Sequence, residues 1–131
     1  MYTFKKKERL NNKKNINELF DKGQSFFNYP FKIYYYLQPN ESECMQIAVL
    51  FSVGKKQIKN AADRNRVKRL CRESYRLNKN TLYSNLNNYT GNLDIAFVYV
   101  GKKDPDFFEL QYKMQKILIH LVSLTKKLNN V

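Results

Sequence analysis

The chain has one histidine, His120, and two cysteines, Cys44 and Cys71. No familiar ligand or triad spacing links them, so a zinc site and a Cys-His nucleophile pair are both excluded. With so few cysteines, one of them on the apolar side of a helix, both thiols are expected to be reduced. Long hydrophobic runs are missing too. The longest, 47–53 and 95–100, are strand-length and far short of a bilayer span. The opening MYTFKKKERL lacks the apolar segment of a signal peptide, which points to the cytoplasm. Acidic residues are scarce, 11 against 24 Lys and Arg. No paired carboxylates with helical or strand spacing frame a cleft, and no Gly-rich phosphate loop is present. A chain so poor in catalytic chemistry reads as a binder, with no catalytic residue and no metal of its own.

What is abundant is positive charge. The net charge is +13 on 131 residues, of which 43% are hydrophobic. That is enough apolar content for one folded domain and too short a chain for two. Such a charge on a small domain selects nucleic acid or an anionic membrane as partner, and nothing favours the membrane.

The charge is concentrated in KKQIKNAADRNRVKRLCRESYR, residues 55–76, which holds nine of the 24 basic residues. Asn60 can cap a helix there, with Asp63 in its first turn where the dipole favours an acid. At about 100° per residue, Val67, Leu70, Cys71 and Ser74 gather on one side. Asn65, Lys68, Arg69, Arg72 and Arg76 gather opposite, with no acid expected to neutralise them. A solvated basic face is the plain alternative. Arginine's planar fork, however, suits phosphate better than solvation requires.

Residues 1–14 read as a basic arm carrying Lys5, Lys6, Lys7, Arg9, Lys13 and Lys14, mobile alone and ordered by an anionic partner. The expected domain then runs from 15 to 131. Asn15 to Lys22 reads as a short helix with Ile16, Leu19 and Phe20 on one face, stopped by Gly23. Phe31 to Leu37 alternates as a strand: Phe31, Ile33, Tyr35 and Leu37 on one side, Lys32, Tyr34 and Tyr36 on the other. A loop from Pro39 to Glu43 leads to a second strand, Met45 to Val53, expected to pair antiparallel with the first. Residues 78–92 read as a polar loop with a turn of helix around Leu82 and Leu86. Leu93 to Val100 is a third strand. Asp104-Pro105 is expected to open a long helix. Its stripe, from Phe107 through Leu110, Met114, Ile117 and Leu121 to Leu124, is either a coiled-coil seam or the cover of a sheet; three strands in need of a cover favour the second. The expected architecture is an α+β sandwich of order α-β-β-α-β-α.

If helices cover the Phe31, Ile47 and Phe97 side, the other face shows Lys32, Tyr34 and Tyr36 beside the small residues Ala48, Ser52 and Ala96. That is a shallow trough with stacking surfaces, suited to single-stranded nucleic acid. Alternatively the first helix packs there and fills it, wholly or with Phe20 left on the rim.

The segment KKQIKNAADRNRVKRLCRE closely resembles the signature of the protein subunit of bacterial ribonuclease P: a lysine pair, an alanine, then RNR-x-KR-x-x-RE. NINELFDKG, NYPFKIYYYL, MQIAVLFSVGKK and LDIAFVYVGKK resemble the family's first helix and its three strands. The resemblance implies a ribonucleoprotein endonuclease in which a large RNA and Mg2+ cleave the 5′ leader from precursor tRNA, the protein supplying no catalytic group. It implies a small mixed sheet with a left-handed β-α-β crossover, against the usual hand. It also implies RNA-subunit contacts at Lys55, Lys56, Arg64, Asn65, Arg66, Lys68, Arg69 and Arg72, and a leader cleft lined by Phe20, Lys32, Tyr34 and Tyr36. Two positions depart from the pattern: Ile16 stands where an aromatic is frequent, and Lys32 where an apolar residue is.

Two other readings explain part of the chain. A structural RNA-binding protein of ribosomal type accounts for charge and aromatics but not for the RNR spacing. A DNA-binding module could place a basic helix in a major groove, yet no helix-turn-helix spacing or zipper adjoins this one.

Overall fold

The computed structural model describes residues 6–40 and 44–129. Lys5 of the expected arm and residues 41–43 of the expected Pro39–Glu43 loop lie outside them. The elements are α1 (Lys13–Lys22), β1 (Gln24–Asn28), β2 (Phe31–Gln38), β3 (Met45–Val53), α2 (Ala61–Asn78), α3 (Asn80–Leu86), β4 (Gly91–Tyr99) and α4 (Phe107–Asn129). The α+β sandwich holds, with one added strand, β1, and with the turn around Leu82 and Leu86 formed as α3.

One sheet of order β1-β2-β4-β3 organises the chain. The expected β2–β3 pairing does not occur. β4 lies between them, antiparallel to β2 and parallel to β3. The reason is visible in β4 itself. Leu93, Ile95, Phe97 and Tyr99 are buried on one face, and Asp94 and Ala96 are buried on the other. A strand apolar on both sides belongs in the middle of a sheet, and a short connection brings two strands near each other without pairing them.

The helix cover is as expected. Phe31, Ile33, Ile47, Phe51, Ile95 and Phe97 pack against Val67, Cys71 and Tyr75 of α2, Leu82 and Leu86 of α3, and the α4 stripe from Leu110 to Val122. Phe51 and Phe97 stack at 5.2 Å, and Phe31 meets Phe97 edge-on at 5.6 Å. The α4 stripe is therefore core and not a coiled-coil seam.

Three helix and arm boundaries differ from the expected ones. α1 begins at Lys13 rather than Asn15 and is capped by Asn12, whose side chain accepts from the amides of Lys14 and Asn15. α4 begins beyond Pro105, because Asp106 takes the capping place: its carbonyl accepts from Leu110 N at 2.9 Å and its carboxylate from Phe108 N at 3.3 Å. The segment expected to be a free arm is docked from Glu8 to Leu10. Leu10 is buried and donates its amide to Val49 O at 2.9 Å, extending the β3 edge. Glu8 is buried in an ion pair with Lys79 at 2.9 Å and accepts from Tyr83 Oη at 2.8 Å. A buried carboxylate needs such partners, and they tie the segment down. Among the described residues, no helix is long and apolar enough to cross a membrane.

Candidate nucleic-acid interface

Gly54 releases the chain from β3 into a tight turn, where it accepts from the amides of Gln57 and Ile58 at 3.2 Å. Ile58 is buried and anchors the turn, so Lys55, Lys56 and Lys59 stand exposed around it. Asn60 then caps α2, as its position implied, accepting from Ala62 N at 2.8 Å and Asp63 N at 3.3 Å. Val67, Cys71, Ser74 and Tyr75 are buried beneath the helix. Burial pushes the Cys71 thiol up to about 12, which leaves it protonated and inert.

The cations of α2 do not act alike. Asn65, Arg69 and Arg72 are exposed and Lys68 half-exposed, and none of the three cations has an acidic partner among the described residues. Arg64 instead folds back, donating Nη1 to the carbonyls of Ile58 at 2.9 Å and Lys59 at 2.7 Å. It fixes the turn that presents the lysines. Arg76, on the face where no neutralising acid was expected, pairs with Glu73 and contradicts that expectation. Arg66 meets acids as well. It donates Nε to Asp104 Oδ2 at 2.7 Å and Nη2 to Asp63 Oδ1 at 3.0 Å. Those two carboxylates, Asp104 first, raise its pKa.

On the opposite face of the sheet, α1 covers part of the trough. Leu19 is fully buried with Ala96 and Leu10, and Ile16, Tyr34, Tyr36, Ala48 and Leu50 pack around them. Filling is partial. Phe20 stays 42% exposed on the rim, its ring edge-on to Tyr34 at 4.7 Å. Lys32 is exposed, with Nζ 5.2 Å from the Tyr34 centroid. Tyr36 lies at the covered end, opposite Asp94. Burial first, and the Glu18 charge second, push the Asp94 carboxyl up to about 6. Glu18 accepts from Gln38 Nε2 at 3.2 Å.

The register sets the geometry of the whole face. Phe27 lies opposite Lys32, Lys32 opposite Val98, and Val98 beside Ser52, forming one row across all four strands. This row is the open end of the trough. It is also the end at which β3 delivers the chain to Lys55 and Lys56, and at which β4 delivers it to the exposed Lys102 and Lys103. A polyanion can thus leave the aromatic face directly into cations, whereas the covered end carries two carboxylates. Sequence reasoning missed Phe27, 62% exposed, because it missed β1. The signal was QSFFN, an aromatic pair between the two breakers Gly23 and Pro30. Among the described residues, no three His, Cys, Asp or Glu side chains gather where they could hold a metal ion.

The family model for ribonuclease P matches residues 4–122. The chain belongs to the ribonuclease P protein family. The ribonuclease P protein component of Porphyromonas gingivalis is 41% identical over 116 residues, covering 88% of this chain and 84% of that protein. That of Petrotoga mobilis is 34% identical over 128 residues, covering 96% and 95%. The solved RNase P protein from Thermotoga maritima superposes with a TM-score of 0.65 at 23% identity, covering 86% of this chain and 96% of that one; at this identity the match speaks for the fold. The Staphylococcus aureus RNase P protein superposes at 0.63 and 24% identity, covering 87% and 94%. Membership makes the chain an accessory protein of ribonuclease P, the enzyme of tRNA 5′ processing, and gives it the ribonuclease P RNA as partner.

Proposed function

We propose that the protein grips the ribonuclease P RNA with Lys55, Lys56, Arg64, Asn65, Arg66, Lys68, Arg69 and Arg72, and holds the 5′ leader of precursor tRNA across its sheet at Phe20, Lys32, Tyr34 and Tyr36. The observation that carries this reading is the shared end of the sheet, where the open aromatic row meets the lysine turn leading into α2. Rings stack bases without regard to sequence, and nearby cations hold phosphates. The roles within the basic set divide. Arg64 positions the turn, Arg66 is held in place by Asp63 and Asp104, and Lys68, Arg69 and Arg72 are free to meet phosphate oxygens. Hydrolysis belongs to the RNA subunit and its Mg2+, and the protein supplies no catalytic group. The setting is the cytoplasm.

The test is reconstitution. The protein should raise precursor-tRNA cleavage by a bacterial ribonuclease P RNA at low magnesium. Its affinity for that RNA should fall with salt, by roughly 0.7–0.9 in log K per log salt for each phosphate contact. No gain in cleavage, or an affinity independent of salt, would sink the reading.

A further inference from the structure

The aromatic face does not stop at Tyr34. Phe27 stands on the outer strand β1, directly opposite Lys32 and diagonal to Tyr34, so all three side chains leave the same face of the sheet. Diagonal neighbours in an antiparallel pair lie roughly 7–8 Å apart, a step that one nucleotide of an extended strand spans. The Phe27 ring is 62% exposed, against 42% for Phe20. It has no aromatic or cationic partner among the described residues, in contrast to Phe20 and Tyr34, which already contact each other. A bare ring on a sheet edge invites strand-to-strand association unless a ligand uses it. The ligand chemistry is set by its row: a ring, then the ammonium of Lys32, then the open floor at Val98 and Ser52.

We infer that Phe27 is a further stacking position for single-stranded RNA, extending the leader path from Tyr34 past Lys32 to the β1 edge. The inference rests on the leader reading above and adds a footprint to it. Tyr34 and Phe20 take one part of the leader, Lys32 holds the intervening phosphate, and Phe27 takes a base further along. Phe27 therefore contributes only when the leader is long enough to reach it.

The experiment measures holoenzyme affinity for precursor tRNAs whose leaders are shortened stepwise, down to mature tRNA. The proteins are wild type, Phe27→Ala, Phe27→Leu, Phe27→Tyr and Tyr34→Ala. For long leaders, Phe27→Ala and Phe27→Leu should weaken binding by about five- to tenfold, the lower part of the range for one stacked base. Phe27→Tyr should restore it. For short leaders and mature tRNA, all three Phe27 variants should match wild type. Leucine keeps the bulk and loses only the ring, so it separates stacking from any effect on β1. An unchanged leader-length profile in both Phe27→Ala and Phe27→Leu overturns the inference, as does an equal loss for mature tRNA. If Tyr34→Ala stays leader-dependent in those cases, the extension alone has failed. If Tyr34→Ala is insensitive to the leader as well, the leader reading of the whole face has failed with it.

Discussion

Arg66 and Asp104, 38 positions apart, are joined by a hydrogen bond of 2.7 Å from Nε to Oδ2, and Asp63 holds the other side of the guanidinium at 3.0 Å. An arginine of the helix proposed to grip RNA is thus partly neutralised in the free protein. A phosphate must share it with two carboxylates or displace them. Asp104→Asn should therefore tighten RNA-subunit binding, by no more than about fivefold because the pair is exposed to solvent. The gain should shrink as salt rises. Weaker binding would mean that Asp104 orients Arg66 for RNA rather than competing for it.

Arg64 and the three free cations should separate cleanly in one pair of experiments. Arg64→Ala removes two bonds to the Ile58 and Lys59 carbonyls and should cost about 1 kcal/mol of stability. Each of Lys68→Ala, Arg69→Ala and Arg72→Ala should leave the melting temperature nearly unchanged and lower the salt slope of RNA binding by roughly one. Equal melting temperatures for Arg64→Ala and Arg69→Ala would refute the division of roles.

The helices and trough residues were legible because their signals are local. The Asn60 cap, the 100° periodicity of α2 and the alternation of β2 each follow from neighbours in the chain. Strand order was not, because the β2–β3 connection says nothing about which strand enters between them. The two-faced burial of β4 decides that, and Ala96 and Val98 opposite Ile95 and Phe97 were the available hint. Arg66–Asp104 was beyond reach for the same reason: an ion pair across 38 positions exists only once the fold brings α2 beside the segment that follows β4. Glu8 gives the sharpest case. In the sequence it is one acid diluted among lysines; in the fold its pairing with Lys79 turns a basic arm into an anchored segment.

That anchor should be costly to break from one side. Lys79→Met would leave the Glu8 carboxylate buried without its cation, a change typically worth about 3–5 kcal/mol. Glu8→Gln with Lys79→Met together should recover much of that loss, since the remaining groups are neutral and Tyr83 can still donate. Thermal melts of the two variants test this. A double variant no more stable than Lys79→Met would show that the ion pair itself, and not the relief of a lone charge, holds the segment.

Asp94 makes stability depend on pH. Its ordinary value is 3.8 and the fold pushes it up to about 6, through burial and the nearby Glu18 charge. The folded state thus binds a proton more readily than the unfolded chain. This group penalises folding fully above about pH 6, less as pH falls, and hardly at all below pH 4. Asp94→Asn should raise stability at pH 7 by about 1–2 kcal/mol, the screened part of a shift of this size. The gain should vanish near pH 4. Urea titrations at the two pH values decide it, and a gain that persists at acid pH would assign the effect to hydrogen bonding instead.

The contact between Phe20 and Tyr34 is the most direct probe of the proposed leader face. Tyr34 emerges from β2 between Lys32 and Tyr36, and Phe20 leans on it from the rim of α1 at 4.7 Å, edge to face. Tyr34→Ala should weaken holoenzyme binding of precursor tRNA by between about fivefold and a hundredfold, the range for one stacked base, while leaving mature tRNA nearly unaffected. Phe20→Ala should act in the same direction and also lower the melting temperature, because its ring packs as well as stacks. An edge-to-face pair is worth about 0.5–1.5 kcal/mol beyond burial. In thermal stability the double variant should therefore lose less than the sum of the two single losses by roughly that amount, since each single change already breaks the contact. Additive stability losses would show that the two rings do not support each other in the fold. Equal losses for precursor and mature tRNA would instead assign both rings to the fold or to the RNA-subunit contact.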